Sequence, residues 1–220
     1  MKRKEIAFKN KKIVLHWNSD AKTLVYFIDD REDPKRLFDL SNDPFSFAVI
    51  TGVDWDDELT PFAGDGIFRK GRPFGGHLFR FENEFEEEIF PLIEQELPSK
   101  IENRILAGYS LAGLFAFDMG MKSKRFNHLV CCSGSFWFPG YLESLKEIVL
   151  PEQIHSLYFS VGEQEGNTKN PYLAKSVSSI HEVYEKVKNQ VPTQFVLEKG
   201  NHFYDPDGRL MRGLGWAIHH

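Results

Sequence analysis

Short apolar runs alternate with turn residues along the chain, and most of these runs are rich in β-branched or aromatic side chains. Runs of this length and composition, bounded by turn residues, are typical of buried strands. They occupy residues 12–17, 24–28, 45–53, 104–107, 128–132, 157–161 and 194–197. We predict a strand at each of these positions.

Apolar residues recur at helical spacing between the later runs, which indicates helices that each bury one face. The sets are Phe81, Phe85, Ile89 and Ile93; Leu114, Phe117 and Met121; Leu173, Val177, Ile180, Val183, Tyr184 and Val187; and Leu210, Leu214 and Ile218. Such alternation of strand and helix requires crossover connections, and these favour a largely parallel sheet. The early runs, which short turns separate, favour an antiparallel edge. We predict a three-layer α/β fold with a mostly parallel central sheet and helices on both faces.

The chain length and composition fit one hydrophobic core. The chain has 220 residues, of which 41% are hydrophobic, and it contains no internal repeat and no long linker rich in Gly, Pro or Ser. We therefore expect a single domain over residues 1–220. The least regular stretch, residues 53–76, combines glycines, prolines and acidic residues, and we predict that it forms a long loop over a site.

The charge pattern limits the partners of the chain. A net charge of −5 is spread along the sequence without a clustered basic stripe, so we expect neither nucleic acid nor an anionic membrane as a partner. The basic N-terminus is not followed by the apolar run of a signal peptide, and we expect a cytoplasmic location. Cys131 and Cys132 are adjacent in a predicted strand, where neighbouring side chains point to opposite faces, so we expect reduced core residues.

One serine lies in a sequence typical of a nucleophile elbow. Residues 104–117 predict a strand that ends at Gly108, a sharp turn at Ser110 and a helix that follows at once. An elbow holds its serine in a strained conformation, so small residues must flank it where strand and helix come close. Gly108, Ala112 and Gly113 meet this need, although the strict G-x-S-x-G form has a glycine in place of Ala112. A serine that only caps an ordinary helix after a glycine turn is the alternative.

The backbone around this turn supplies candidates for an oxyanion hole. The N–H group of Leu111 opens the predicted helix, where the helix dipole adds positive potential. A second N–H donor is expected after the strand at residues 24–28, and we assign this role to Asp30.

His202 is the candidate general base. A serine hydroxyl needs a base that accepts its proton, and in open α/β sheets the active site forms at the carboxyl ends of the strands. Gly200, Asn201 and His202 follow the last predicted strand and place an imidazole at that edge. His77 is the one rival, because the other histidines lie in strands, in a helix, before a strand or at the terminus.

The acid of a catalytic triad is expected after the preceding strand, and two glutamates compete for the role. Glu163 and Glu165 both follow the glycine that ends the run at residues 157–161. We favour Glu165, because a turn of about three residues lets its carboxylate swing back towards the histidine. Glu163 stays as the alternative acid.

With these pieces assigned, the sequence resembles the esterase family of α/β-hydrolases, which includes enterochelin esterase-like and S-formylglutathione hydrolase-like enzymes. The resemblance spans most of the chain and depends on residues 26–30, 49–61, 108–113, 133–137, 161–165 and 200–202. The chain departs from the family pattern at two places. Asp29 and Asp30 stand where an Asp-Gly pair is usual, and Ala112 replaces the second elbow glycine.

The resemblance implies an α/β-hydrolase fold and cleavage of a small-molecule carboxylic ester through a Ser–His–acid triad and an acyl-enzyme. It implies no metal and no organic cofactor, and no zinc-ligand spacing occurs in the sequence. The candidate pocket walls are Trp55, Tyr109, Phe136 and Trp137. Two other functions fit the same residues: a noncatalytic ligand-binding protein on the same fold, and an acyltransferase in which another hydroxyl replaces water.

Overall fold

The computed structural model of the protein describes residues 2–31, 45–67, 71–97, 101–145 and 147–220. The strands in these ranges are β1 (Lys2–Phe8), β2 (Lys11–Trp17), β3 (Thr23–Ile28), β4 (Phe45–Thr51), β5 (Ala63–Gly64), β6 (Phe74–Gly75), β7 (Asn103–Tyr109), β8 (His128–Cys132), β9 (Ser156–Gly162) and β10 (Thr193–Glu198). Strands β5 and β6 pair as a small antiparallel ribbon. The others form one sheet of 8 strands in the order β1-β2-β4-β3-β7-β8-β9-β10.

The helices are α1 (Trp55–Glu58), α2 (Leu78–Glu84), α3 (Phe90–Glu94), α4 (Leu111–Lys122), α5 (Tyr141–Ser144), α6 (Ser176–Val187) and α7 (Pro206–Ile218). A π-helical turn, Phe85–Ile89, joins α2 to α3, and a 3₁₀ turn, Leu173–Lys175, leads into α6. None of the helices in the described ranges has both the length and the apolar character needed to cross a bilayer.

The sheet has the mixed architecture that the sequence predicts. Strands β4, β3, β7, β8, β9 and β10 are parallel to one another, whereas β2 pairs antiparallel with both β4 and β1 and forms an antiparallel edge. The predicted fold class is therefore confirmed. Because parallel strands end at the same edge of a sheet, the turns that follow β7, β9 and β10 meet there.

Hydrophobic layers cover both faces of the sheet. One layer joins the sheet to α2, α4 and α6, and the other joins it to Leu210, Leu214 and Ala217 of α7. Cys131 belongs to the first layer and Cys132 to the second, and both are buried and free. Since successive strand residues point to opposite faces, the predicted reduced core cysteines are confirmed.

The predicted helix through Phe81, Phe85, Ile89 and Ile93 contains a π turn in its middle. A strict spacing of four residues advances about 400° around an α-helix, so a straight helix would turn these side chains progressively out of the core. The wider π turn compensates for this drift, and all four side chains are buried. The spacing thus predicted the buried face but not the change of helix type.

The elements β1, α1, β5 and β6 were not predicted from the sequence. Strand β1 carries mostly charged residues and is largely exposed, so it lacks the apolar run by which the other strands of the sheet were predicted, and it pairs with β2 at the sheet edge. Residues 53–76 were predicted as one long loop, but they contain α1, β5 and β6. Residues 68–70 of this stretch lie outside the described ranges.

Candidate active site

Ser110 forms the sharp turn between β7 and α4. Its backbone has φ of +60° and ψ of −125°, a conformation that side-chain-bearing residues adopt only under strain. Its N–H donates to the carbonyl of Cys132 (3.1 Å), and its own carbonyl accepts from Gly113 (3.0 Å). Ser110 makes no side-chain capping bond to the helix. The geometry is therefore that of an elbow, and the alternative of a simple helix-capping serine does not describe it.

The small residues around Ser110 permit this turn. A Cβ atom on Gly108 would lie 2.0 Å from the carbonyl oxygen of Ala112, which no real structure tolerates. A Cβ on Gly113 would come within 3.1 Å of the Cys132 carbonyl oxygen. Ala112, which replaces the usual glycine, buries its methyl group in the core. The strict motif is thus relaxed at the one position where a methyl group fits.

Helix α4 begins at Leu111, directly after the serine. The first N–H groups of a helix have no partner within it, and the helix dipole places partial positive charge at this end. The N–H of Leu111 is therefore available to a negatively charged oxygen close to Ser110.

His202 and Glu165 contact each other at the same edge of the sheet. Nδ1 of His202 lies 2.8 Å from Oε2 of Glu165, and the glutamate side chain is only 3% exposed. Burial raises the pKa of Glu165, but the hydrogen bonds from His202, Ser133 and the Gly162 amide outweigh it, so the net pKa is below its usual value. The carboxylate is therefore an acceptor, and Nδ1 carries the proton.

Glu163 lies on the same turn but has a different environment. Its side chain is exposed, and its backbone N–H donates to the carbonyl of Glu198 (2.8 Å). The structure thus brings Glu165, rather than Glu163, into contact with His202.

Arg209, which the sequence did not suggest as a site residue, supports the glutamate from α7. Its guanidinium is fully buried, and Nη1 donates to Oε1 of Glu165 (2.7 Å) and to Oγ of Ser133 (3.0 Å). Its Nη2 donates to the carbonyls of Lys199 and Asn201, both at 3.0 Å. One side chain therefore fixes both the acid and the turn that carries His202.

Tyr109, the residue before Ser110, also holds this turn. Its hydroxyl donates to the carbonyl of His202 (2.6 Å), and it accepts from Arg209 (3.1 Å). Burial raises the pKa of Tyr109 to about 12, so the hydroxyl keeps its proton and stays a donor. Tyr109 therefore supports the turn that carries His202 and is not a wall of the cavity.

Ser110, Leu111, Glu165 and His202 line one cavity of about 270 Å³. Its other walls include Trp137, Phe74, Asn167 and Phe203. Oγ of Ser135 lies 3.5 Å from Oγ of Ser110, a distance too long for a strong hydroxyl hydrogen bond. The predicted nucleophile, base and acid therefore face the same space, together with the predicted pocket residue Trp137.

Three other predicted site residues lie elsewhere. Phe136 is fully buried in the core, where its ring packs against Phe117 and Phe159, so it is not a pocket wall. Trp55 and Asp30 line a separate hollow, and Nε1 of Trp55 donates to the Asp30 carboxylate (3.0 Å). The amide of Asp30 as an oxyanion donor stays a prediction.

The rival histidine, His77, is not in this cavity. Its Nδ1 lies 2.5 Å from Oδ1 of Asp57, on the exposed surface before α2. The nearby acids also have structural partners, since Asp54 accepts from Arg72 and Glu58 accepts from Lys11. In the described ranges, no group of three or more His, Cys, Asp or Glu side chains is arranged to hold a metal ion.

Comparisons with known proteins support the fold. No family model matches the chain. A curated relative, the uncharacterized protein YbbA of Bacillus subtilis, is 24% identical over 162 residues, a match that covers 69% of this chain and 65% of that protein. The match thus spans slightly less than two thirds of the relative's length.

Solved structures superpose over almost the whole chain. A siderophore hydrolase of Aspergillus nidulans, EstA, has a TM-score of 0.80 at 16% identity and covers 98% of this chain and 93% of its own. An IroE-like serine hydrolase of Shewanella oneidensis has a TM-score of 0.77 at 18% identity, over 97% and 78%. The enterobactin esterase of Shigella flexneri has a TM-score of 0.70 at 20% identity, over 97% and 58%.

These structures are α/β-hydrolase-type enzymes, and the chain has their fold. At identities of 20% and below, the likeness extends to the architecture and not to the substrate. The predicted resemblance to α/β-hydrolases is therefore confirmed at the level of the fold.

Proposed function

We propose that this protein is a serine esterase in which Ser110 is the nucleophile, His202 the general base and Glu165 the acid that orients it. The observation that carries the proposal is the strained Ser110 at the end of β7, in the same cavity as a histidine bonded to a buried carboxylate. A strained serine followed along the chain by a carboxylate and then by an imidazole is the order of an α/β-hydrolase triad. The siderophore hydrolase and the serine hydrolase that share the fold agree with this chemistry.

In the proposed first half-reaction, Oγ of Ser110 attacks the ester carbonyl while Nε2 of His202 accepts the hydroxyl proton. Nδ1 is engaged by Glu165, which leaves Nε2 as the basic nitrogen. The carbonyl oxygen gains negative charge, which the N–H of Leu111 stabilises, with Asp30 as the predicted second donor. His202 then returns the proton to the leaving alcohol, and an acyl-enzyme forms.

In the second half-reaction, water replaces the alcohol. His202 accepts a proton from this water, which attacks the acyl carbonyl and releases the acid and free Ser110. Glu165 stays ionised throughout and stabilises the imidazolium, in agreement with its lowered pKa. Apart from the ester and water, the proposed steps use only groups of the chain.

A fluorophosphonate probe tests the nucleophile. Such probes form a covalent bond with an activated serine, so the wild-type protein is expected to be labelled and Ser110→Ala and His202→Ala are not. Ser135→Ala is the matched control, because its hydroxyl lies 3.5 Å from that of Ser110 in the same cavity. We expect Ser135→Ala to be labelled like the wild type.

The outcomes separate the candidate functions. Labelling that persists in Ser110→Ala would reject the assigned nucleophile. A folded wild-type protein that is never labelled would favour a noncatalytic ligand-binding protein. Faster acyl transfer to an added alcohol than to water, measured by product analysis, would favour an acyltransferase.

A further inference from the structure

A second hollow lies beside the cavity of Ser110. It has a volume of about 300 Å³, and its walls include Phe62, Phe138 and Tyr172. Phe74 lines both spaces. Two pairs of consecutive residues also connect the two spaces. Trp137 lines the first cavity and Phe138 the second, and likewise Leu173 lines the first and Tyr172 the second. The two hollows are therefore adjoining parts of one site.

Aromatic rings form the boundary between the two spaces. The rings of Phe74 and Phe138 are 4.9 Å apart, and Trp137 stacks on Phe138 at 6.3 Å. Phe74 and Phe138 are buried, whereas Phe62 and Tyr172 are 42% and 41% exposed on the rim. Exposed aromatic side chains around a concave surface are typical of a ligand site, since burial of their faces by a ligand is favourable.

Asn170 connects two segments that line the second hollow. Its Nδ2 donates to the carbonyl of Ile67 (2.8 Å), and its Oδ1 accepts from the N–H of Tyr172 in its own turn (3.0 Å). A single amide side chain thus holds these two segments together before any ligand arrives. A pre-formed site of this kind loses less conformational entropy on binding.

We propose that the second hollow is a subsite for an apolar, aromatic arm of the ester, located beyond Phe74 from the reacting carbonyl. The proposal rests on the proposed esterase function and names the class of ester that the site prefers. A ring entering the hollow is enclosed by Phe62, Phe138 and Tyr172, whereas a short acetyl ester occupies only the space near Ser110. The subsite therefore raises kcat/KM for elongated aryl esters and does not contribute to the hydrolysis of short esters.

Matched ester series test the subsite. Methyl esters of ω-phenylalkanoic acids, with increasing spacer length, probe the acyl side, and ω-phenylalkyl acetates probe the alcohol side. Linear esters with the same number of carbons are the reference. We expect kcat/KM to rise about tenfold over the reference at one spacer length in one series, the scale of discrimination by an apolar pocket.

Wall variants then locate the effect. Phe62→Ala and Tyr172→Ala are expected to lose most of this tenfold gain, measured as the ratio of kcat/KM for the phenyl ester to kcat/KM for its linear reference. Asn170→Ala, which removes the hydrogen bonds to Ile67 and Tyr172, is expected to reduce the gain as well. Phe79→Ala is the matched control, since Phe79 is an exposed ring of α2 outside both hollows.

The results distinguish failure of the subsite from failure of the esterase proposal. Hydrolysis of short esters without a gain at any spacer length, or a gain that both wall variants retain, would reject the subsite alone. If no ester is hydrolysed, calorimetric titration of the wild-type protein with the same phenyl esters tests whether the second hollow binds them. Binding that Tyr172→Ala weakens and Phe79→Ala does not would support the subsite, and no binding would reject it.

Discussion

Arg209 and Glu165 form a buried ion pair that leaves one carboxylate oxygen for the histidine. Nη1 of Arg209 donates to Oε1 over 2.7 Å, while Oε2 faces Nδ1 of His202 at 2.8 Å. Oε1 also accepts from the hydroxyl of Ser133 and from the N–H of Gly162, both at 2.7 Å. The carboxylate therefore has a fixed orientation in which its two oxygens face different partners.

The choice between the two candidate acids has a direct kinetic test. Glu165→Gln removes the charge that stabilises the imidazolium of His202, so we expect kcat to fall by at least about 100-fold. Glu163→Gln changes an exposed side chain on the same turn and is expected to keep near wild-type kcat. Steady-state kinetics on one ester measures both. A larger loss in Glu163→Gln would assign the acid to that residue.

Replacement of Arg209 is expected to destabilise the protein strongly. Arg209→Met removes the positive charge paired with the buried Glu165 carboxylate and the guanidinium donors to the carbonyls of Lys199 and Asn201, and loss of one partner of a buried pair costs about 3–5 kcal/mol. Arg212→Met is the control, because this exposed arginine on the same helix pairs with Glu198 at the surface and is worth at most about 1 kcal/mol. Urea unfolding measures the two differences. Equal effects would mean that the buried network contributes no more than a surface ion pair.

The elbow is expected to reject a single methyl group at Gly108. Gly108→Ala places a carbon 2.0 Å from the Ala112 carbonyl oxygen, so the turn must open, and we expect a loss of at least about 3 kcal/mol together with loss of fluorophosphonate labelling. Gly215→Ala is the matched control in α7, where a Cβ meets nothing within 4 Å. This control is expected to gain up to about 1 kcal/mol, because alanine favours helix. Thermal unfolding compares the two, and a Gly108→Ala protein as stable as the wild type would contradict the elbow geometry.

The free energy of unfolding is expected to depend on pH through Glu82. Burial, and then the neighbouring Asp118, raise the pKa of Glu82 to about 8, against the opposing effect of Lys122. The folded state therefore holds a proton that the unfolded state releases near the ordinary pKa of 4.5. Stability from this group is present below pH 4.5 and is lost as the pH rises towards 8.

Glu82→Gln removes this titration. We expect the free energy of unfolding to fall less between pH 5 and pH 8 in the variant than in the wild type, by on the order of 1 kcal/mol or more. Glu143→Gln, which changes an exposed glutamate of α5, is expected to keep the wild-type slope. Urea unfolding at several pH values measures the slopes, and identical slopes in Glu82→Gln and wild type would refute the assignment.

Much of the sheet was predictable because buried strands leave an unbroken apolar run, as at residues 104–107 and 128–132. Ser110 was predictable because strain at the turn requires small neighbours, which are visible in the sequence. His202 and Glu165 could be proposed because chain order places them at the carboxyl ends of adjacent strands. Each of these signals is local, or follows from the order of the elements.

Arg209 was not predictable because its role depends on the packing of a helix against the sheet. Arg209 and Arg212 are three residues apart in α7, yet one is fully buried and the other is exposed. The one available signal is helical phase, since Arg209 lies four and eight residues before the buried Gly213 and Ala217 on the same face of α7. The same limit explains Phe136, which is adjacent to Trp137 in the chain but points into the core.

The hydrogen bond from Tyr109 to the carbonyl of His202 links the end of β7 to the turn after β10. The strand that presents the proposed nucleophile is thereby also an anchor of the proposed base, although the two residues are far apart in the chain. The sheet, and not the segments that cover the cavity, sets the position of Ser110 relative to His202. Sequence changes in the cover at residues 53–67 and 166–173 can therefore alter ligand choice without resetting the reactive pair.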